Sequence, residues 1–196
     1  HSPDAQVEEA LINALGDAPL GNLLDIGTGT GRMAELFADK AQAITALDKN
    51  LEMLRVARAK LQHLDHAHLE LVQGDFTDLP LAEDAFDTVL LHQVLHFAQD
   101  PADPLAEAAR VTKPGGQIAI VDFASHDREE LRNAHAHARL GFTDKQMAQF
   151  LSNAGFKPSD PIALDGGELV VKIWIGTRQA DGPARRSSET KTASAL

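Results

Sequence analysis

A glycine-rich segment between an apolar run and a helical pattern constrains this chain more than any other feature. Residues 24–31 read Leu-Asp-Ile-Gly-Thr-Gly-Thr-Gly. Glycines permit a tight turn and allow a ligand to approach the backbone closely. The spacing is G-x-G-x-G, with an acid two residues before the first glycine. Arg32 stands where the G-x-G-x-x-G fingerprint of dinucleotide-binding proteins would have its third glycine. The segment therefore predicts a strand, a ligand-binding turn and a helix in succession.

Apolar runs alternate with segments of helical spacing along most of the chain, which predicts a parallel sheet covered by helices on both faces. The strands are predicted at 23–26, 43–47, 69–72, 85–91 and 117–123, and the helices at 3–15, 32–40, 50–61, 101–111, 127–137 and 143–153. The runs 158–164 and 168–176 predict a closing antiparallel pair around Asp165-Gly166-Gly167. Right-handed crossovers bring the carboxyl ends of parallel strands to one edge, where ligands bind.

Acidic residues close the second and third predicted strands. Asp48 ends the second strand, and Gly74-Asp75-Phe76 follows the third. We expect both carboxylates to lie at the same edge of the sheet as the glycine loop. An acid at the position of Asp48 can accept hydrogen bonds from both hydroxyls of a ribose. For Asp75 the alternative is a turn or helix-capping aspartate, which is a common use of this residue.

Together these motifs resemble those of class I S-adenosylmethionine (SAM)-dependent methyltransferases. Two further segments, Phe86-Asp87-Thr88-Val89 and Lys113-Pro114-Gly115-Gly116, resemble the family's fourth strand and the turn before its fifth. The resemblance implies an α/β fold, a Rossmann-like three-layer sandwich. Its seven-stranded sheet would be mostly parallel, with an antiparallel last strand and the order 3214576. It also implies SAM as the cofactor and a small-molecule acceptor.

The resemblance assigns roles to individual residues. Asp25 would help to hold the ammonium group of SAM, and the glycine loop would lie under its methionine moiety. Asp48 would bind the ribose and Asp75 the adenine amine. The predicted cofactor-binding residues are Asp25, Gly27, Thr28, Gly29, Gly31, Asp48, Lys49, Met53, Gly74, Asp75, Phe76 and His92.

Two histidines after the fourth predicted strand, His92 and His96, are the candidates for catalysis. A histidine could act as a general base because its ordinary pKa suits proton transfer near neutral pH. One alternative is a metal pair, but no matching carboxylate motif such as H-E-x-x-H is present, and we predict no metal site. The other alternative is that both are ordinary polar or core residues.

A narrower resemblance concerns the segments 91–96 and 135–142. They resemble the methyltransferase half of fusion proteins whose N-terminal half is an ArsR-type repressor. This resemblance allows for an N-terminal DNA-binding domain in the full-length protein and for a homodimer. It also makes His135, His137 and Arg139 candidates for acceptor contacts. The predicted organisation is a helix and linker over 1–19, a methyltransferase domain over 20–177 and a disordered tail over 178–196.

Composition excludes several classes of function. The net charge of −11 disfavours binding of this domain to nucleic acid. The absence of cysteine excludes thiolate sites and disfavours arsenite methylation. No apolar run is long enough to cross a bilayer, so we expect a cytoplasmic domain without membrane contact. A non-catalytic domain that senses SAM or S-adenosylhomocysteine is the chief alternative. A nicotinamide-dependent oxidoreductase and a pure interaction module are the others.

Overall fold

The computed structural model describes residues 3–65, 68–127, 140–164 and 169–180. The helices are α1 (Pro3–Leu15), α2 (Arg32–Phe37), α3 (Leu51–Lys60), α4 (Ala102–Val111) and α5 (Asp144–Ala154). The strands are β1 (Asn22–Ile26), β2 (Ala43–Asp48), β3 (Leu69–Gln73), β4 (Phe86–His92), β5 (Thr112–Phe123), β6 (Phe156–Pro158), β7 (Ile162–Leu164) and β8 (Val171–Arg178). Residues 128–137 of the helix predicted at 127–137, and the turn at 165–167, lie outside the described residues.

The strands form one mixed sheet in the order β3-β2-β1-β4-β5-β8-β6, with β7 also paired to β8. The pairs among β1 to β5 are parallel, and β8 is antiparallel to β5. This confirms the predicted fold class and strand order. The run predicted as one strand at 158–164 is instead two short strands, β6 and β7, both antiparallel to β8. Pro161 lies between them and has no N–H to donate, which interrupts the ladder.

Both faces of the sheet are covered, and this is why its central strands read as continuous apolar runs. On one face, Leu24 of β1 packs in a cluster with Leu105 of α4 and Leu151 of α5. On the other face, Leu23 packs in a cluster with Leu11 of α1 and residues of α2 and α3. The three-layer arrangement follows from this alternation of side chains along β1.

The predicted turn at Lys113–Gly116 lies inside the segment of β5. Phe86 of β4 pairs with Thr112, whereas Thr88 pairs with Gln117, so extra residues bulge out between these two pairs. Gly115 takes a φ of +81°, a conformation that favours glycine. The predicted turn at Lys113–Gly116 is therefore present, but it forms a bulge inside β5 and does not precede the strand.

Side-chain caps begin two of the helices. The Asn50 side chain accepts hydrogen bonds from the backbone N–H groups of Glu52 and Met53 at the start of α3. Thr143 and Gln146 form a capping box at the start of α5. No helix in the described ranges combines the length and the hydropathy needed to cross a membrane.

Candidate functional site

A groove of about 330 Å³ lies at the carboxyl ends of β1, β2 and β3. Six residues predicted to bind the cofactor line it: Gly27, Asp48, Lys49, Gly74, Asp75 and Phe76. The structure therefore brings residues from three successive strand ends to one surface. Parallel strands order their carboxyl ends at the same edge, so this convergence follows from the sheet topology.

The glycine loop is held against the neighbouring strand. The N–H groups of Gly27 and Thr28 both donate to the Leu47 carbonyl at 2.8 Å. At Gly27, where φ is +75°, a Cβ would lie 2.4 Å from Val94 Cγ1. At Gly29, where φ is +56°, a Cβ would meet no atom within 4 Å. Packing within the protein therefore requires glycine at position 27, whereas the space above Gly29 is open to a ligand.

The Asp48 carboxylate connects the glycine loop to the start of α3. One oxygen accepts from the Gly29 N–H at 2.8 Å and the other from the Asn50 N–H at 2.9 Å. An ionised carboxylate has about four lone-pair sites, so each oxygen retains acceptor capacity. Asp48 is half-buried and can accept additional hydrogen bonds from ligand hydroxyls in the groove.

Asp75 serves a turn as well as lining the groove. Its Oδ1 accepts from the N–H of Thr77 at 2.9 Å and from the Thr77 hydroxyl at 2.7 Å. These bonds, and the Lys49 ammonium 3.7 Å from Oδ2, hold the pKa of Asp75 below its ordinary value. Asp75 therefore does stabilise a turn, which was the alternative left open by the sequence. Its bonds to Thr77 use only Oδ1, so Oδ2 remains on the side of Lys49.

Asp25 is a buried carboxylate without a partner. It lies on β1 directly before Ile26, which lines the groove, and only 1% of it is exposed. Neither carboxylate oxygen makes a hydrogen bond of good geometry with a described residue, although the Thr28 hydroxyl lies close enough to interact with the carboxylate. Burial raises the pKa of Asp25 to about 6; the Thr28 hydroxyl opposes this rise, and the Asp48 charge adds to it. An unpaired buried carboxylate is costly, so this group fits a cationic part of a ligand such as an ammonium.

His92 lies in a second cavity, of about 440 Å³, between β4, α1 and α2. Glu8 and Arg32 line this cavity and form a two-bonded ion pair at 2.6 and 2.7 Å. Burial lowers the pKa of His92, although the charges of Asp122, Asp4 and Glu8 oppose this shift. The ring is therefore uncharged at neutral pH and can accept a proton.

The backbone after His92 is in an uncommon conformation. Gln93 has a φ of +55° and its N–H donates to the Val121 carbonyl. Non-glycine residues in this region are uncommon and cluster at functional sites. Gln93 lines the same cavity as His92, and sequence reasoning did not single it out.

His96 has a different environment from His92. It is 2% exposed, and its Nδ1 lies 2.8 Å from Oδ1 of Asp122 at the end of β5. Its ring contacts those of Phe97 and Phe123, with centroids 4.1 and 5.3 Å away. Asp122 was missed in the sequence, where its signal is an acid inside the apolar run 118–123.

The remaining predicted residues are placed as follows. Thr28 is buried, Gly31 precedes α2 with a φ of +88°, and Met53 lies on α3 apart from the groove lining. Val94 and Phe97 line the groove but were not predicted. The predicted acceptor contacts His135, His137 and Arg139 lie outside the described residues. Within the described ranges, no group of three or more metal-ligating side chains occurs.

Comparisons with known proteins agree with this geometry. A family model described as "Methyltransferase domain" matches residues 24–120. A demethylmenaquinone methyltransferase from Tropheryma whipplei is 33% identical over 171 residues, covering 87% of this chain and 67% of that protein. Another from Renibacterium salmoninarum is 36% identical over 114 residues, covering 58% of this chain. The chain spans only 46% of that relative's length. A solved Bacillus halodurans structure matches with a TM-score of 0.79 at 20% identity, covering 89% of this chain and 99% of that one.

Proposed function

We propose that this chain, which belongs to the family of SAM-dependent methyltransferases, transfers a methyl group from SAM to a small-molecule acceptor. The observation that carries the proposal is the convergence on one groove of a glycine loop, the ribose-binding candidate Asp48 and the turn at Asp75. Asp25, whose buried carboxylate has no hydrogen-bond partner among the described residues, belongs to the strand that ends at this groove. A strand that served only the fold would not need a buried carboxylate without a partner.

The described residues supply hydrogen-bonding groups for each part of the cofactor. Asp25 would meet the ammonium, and the open space over Gly29 would take the methionine moiety. Asp48 would accept from the ribose hydroxyls with its remaining lone pairs. Asp75 and Phe76 would contact the adenine.

The protein's chemical task in this reaction is modest. When bound, SAM supplies a methyl group that is already activated by its positively charged sulfur. The chain must orient the acceptor at close range and exclude water. We place the acceptor in the cavity beside His92, which in its neutral form would take the proton that the acceptor loses. We assign His96 a supporting role, because it is buried and bonded to Asp122.

The acceptor itself is proposed only by class. The two curated relatives named above are demethylmenaquinone methyltransferases, so a quinone ring, together with its reduced and hydroxylated quinol form, is the first class to test. We further propose that the domain works in the cytoplasm, with a homodimer as one candidate assembly. It would form the methyltransferase half of an ArsR-type fusion, a proposal supported by the resemblance of 91–96 and 135–142.

The test is to titrate the purified chain with SAM, S-adenosylhomocysteine and NADH by calorimetry. We expect the first two to bind and NADH not to bind. Binding of NADH alone would contradict the proposal. Incubation of SAM with a panel of hydroxylated rings, amines and carboxylates should then release S-adenosylhomocysteine with at least one acceptor. Tight binding without turnover by any acceptor would favour the sensor alternative.

The role of His92 can be tested separately through pH. The kcat of the wild type should rise as pH increases through a value below 6.5, the ordinary pKa of histidine, and should be flat near pH 7. His92→Gln should lower kcat by about 100-fold and remove this rise. His92 was also predicted to bind the cofactor, so the affinity of the variant for S-adenosylhomocysteine should be measured as well, and a loss there would assign part of the effect to cofactor binding. An unchanged kcat in the variant would exclude His92 as the base.

A further inference from the structure

Resting on the proposed cofactor groove, we propose that Asp122 is a positioning residue that acts through His96 to hold one wall of this groove. That wall is the segment Val94–Phe97, called the turn wall below. Both Val94 and Phe97 line the groove, and the Asp122 carboxylate bonds to His96 between them. The influence of Asp122 on the groove would therefore pass through His96.

Asp122 is tied to the turn wall by two separate bonds to one residue. Its Oδ1 lies 2.8 Å from His96 Nδ1, and its Oδ2 accepts from the His96 backbone N–H at 3.2 Å. Oδ1 also accepts from the Phe123 N–H at 2.8 Å. Because an ionised carboxylate only accepts hydrogen bonds, we assign the proton of this contact to His96 Nδ1. The carboxylate thus fixes both the ring and the backbone of His96.

The burial of Asp122 makes these bonds necessary. The residue is 0% exposed in a strand whose other residues are mostly apolar. The residue opposite it on β8 is Lys172, but the Lys172 ammonium lies 2.8 Å from Asp144 on α5. The Asp122 carboxylate therefore relies on N–H donors from β5 and His96. A buried carboxylate that loses such donors incurs a large desolvation penalty, so the contact resists being broken.

The turn wall is shaped by this anchor at its centre. Residues 95–97 form a single 3-10 turn, and such a short turn makes few hydrogen bonds of its own. Val94 packs where a Cβ on Gly27 would stand, and Phe97 keeps 45% of its surface exposed at the groove. A large apolar ring exposed at a groove mouth needs a fixed backbone to present one face to a ligand. His96 lies between these two residues and is the point that Asp122 holds.

The experiment is a double-mutant cycle read by the affinity for S-adenosylhomocysteine. Asp122→Ala removes both bonds and should weaken binding about tenfold, whereas His96→Ala keeps the backbone N–H bond and should weaken it about threefold. The double variant should be no weaker than Asp122→Ala, because Asp122 acts through residue 96. Leu105→Ala is the matched control. It removes a buried side chain on α4 in the same core but does not line the groove, so it should lower stability and leave the affinity within about twofold.

A second readout separates positioning from general loss of stability. The NMR signal of the His96 Nδ1 proton should shift in Asp122→Asn and stay in place in Leu105→Ala. If Asp122→Ala does not fold, Asp122→Asn replaces it in the titration, with about a threefold or greater loss expected.

The proposal would be overturned if Asp122→Ala and His96→Ala bind S-adenosylhomocysteine as tightly as the wild type. It would also be overturned if the losses of the two single variants multiply in the double variant, because the two residues would then act independently. A wild type that fails to bind S-adenosylhomocysteine would instead overturn the proposed function.

Discussion

The two walls of the groove are built in different ways. The glycine wall, formed by 27–31 together with Asp48, is held by backbone hydrogen bonds between adjacent strands and by glycines in left-handed conformations. The turn wall, Val94–Phe97, is held by a buried imidazole and a carboxylate that lies 26 residues further along the chain. The bonds of both walls join residues 19 and 26 positions apart, but the residue types of the glycine wall follow a pattern that is visible within one short segment, whereas those of the turn wall do not.

This difference explains which residues were predictable. The glycine wall is recognisable in the sequence because left-handed backbone positions favour glycine and because acids follow strands. The turn wall has no such local signature, since nothing near Val94 or Phe97 in sequence indicates that either faces a ligand. The two walls meet at Gly27, where Val94 occupies the space of a missing side chain. Substitutions in each wall therefore test whether the two walls depend on one another.

The largest effect is expected where the walls meet. Gly27→Ala places a methyl group 2.4 Å from Val94 Cγ1 at a φ of +75°, so both steric overlap and backbone strain oppose folding. We expect a loss of about 3–4 kcal/mol in the free energy of unfolding. The control is Gly16→Ala, where φ is +76° and no atom lies within 4 Å. It should lose only about 1 kcal/mol. Chemical denaturation measures both, and equal losses would show that the walls do not press on each other.

The next effect concerns the unpartnered acid. The pKa of Asp25, about 6, lies above its ordinary 3.8, so the folded state holds this proton more tightly than the unfolded state. Asp25 therefore destabilises the ligand-free protein increasingly as pH rises from about 4 to 6 and fully above that, by up to about 3 kcal/mol. Asp25→Asn should gain stability relative to the wild type between about pH 4.5 and 7. Its affinity for S-adenosylhomocysteine should fall about tenfold.

Calorimetry in buffers of different ionisation enthalpy provides a check on Asp25. Near pH 6 the wild type should release protons on binding S-adenosylhomocysteine, because the ligand ammonium favours the charged carboxylate. Asp25→Asn should abolish this release, since the amide does not titrate. Proton uptake by the wild type on binding would be inconsistent with an ammonium next to this group.

A moderate effect is expected within the glycine wall. Asp48→Ala removes the carboxylate that accepts from the N–H groups of Gly29 and Asn50 and that we propose to bind the ribose. The free energy of binding of S-adenosylhomocysteine should become less favourable by about 1–3 kcal/mol. Glu52→Ala, in the first turn of α3, removes the same charge from an exposed residue and should leave the affinity unchanged. Isothermal titration distinguishes them, and matched affinities would argue against a sugar at Asp48.

The smallest effect is expected at Asp75. Asp75→Asn keeps an oxygen that can accept from Thr77 and alters only the group facing Lys49, whose ammonium is exposed. We expect about a two- to fivefold loss of affinity for S-adenosylhomocysteine by titration. A loss as large as that of Asp48→Ala would mean that the adenine contact depends on charge more than the turn geometry suggests.

The strands and the glycine loop were predictable because their signals are local, whereas the sheet order and the roles of the groove residues were implied by the resemblance to SAM-dependent methyltransferases. Apolar runs of strand length, caps such as Asn50 and glycines such as Gly27 act through the backbone conformation of a few residues. The division of 158–164 into β6 and β7 was not anticipated, because Pro161 breaks a ladder that exists only once β8 is alongside. The sequence identified His92 and His96 as two candidates for catalysis, but it could not show that the first lines a cavity and the second is buried.

The pattern of apolar runs, glycines and acids along the chain is sufficient to predict that a parallel sheet brings a glycine loop and two acids to one edge. Strand periodicity and chain handedness leave few other arrangements for such a pattern. Contacts between distant segments determine that His92 lines a cavity and that His96 is buried against Asp122. The reason is the register between β4 and β5, which pairs His92 with Val121. The residue after Val121 is Asp122, and it therefore lies beside the turn that contains His96. Such a pairing depends on contacts between distant segments, and no short stretch of residues encodes it.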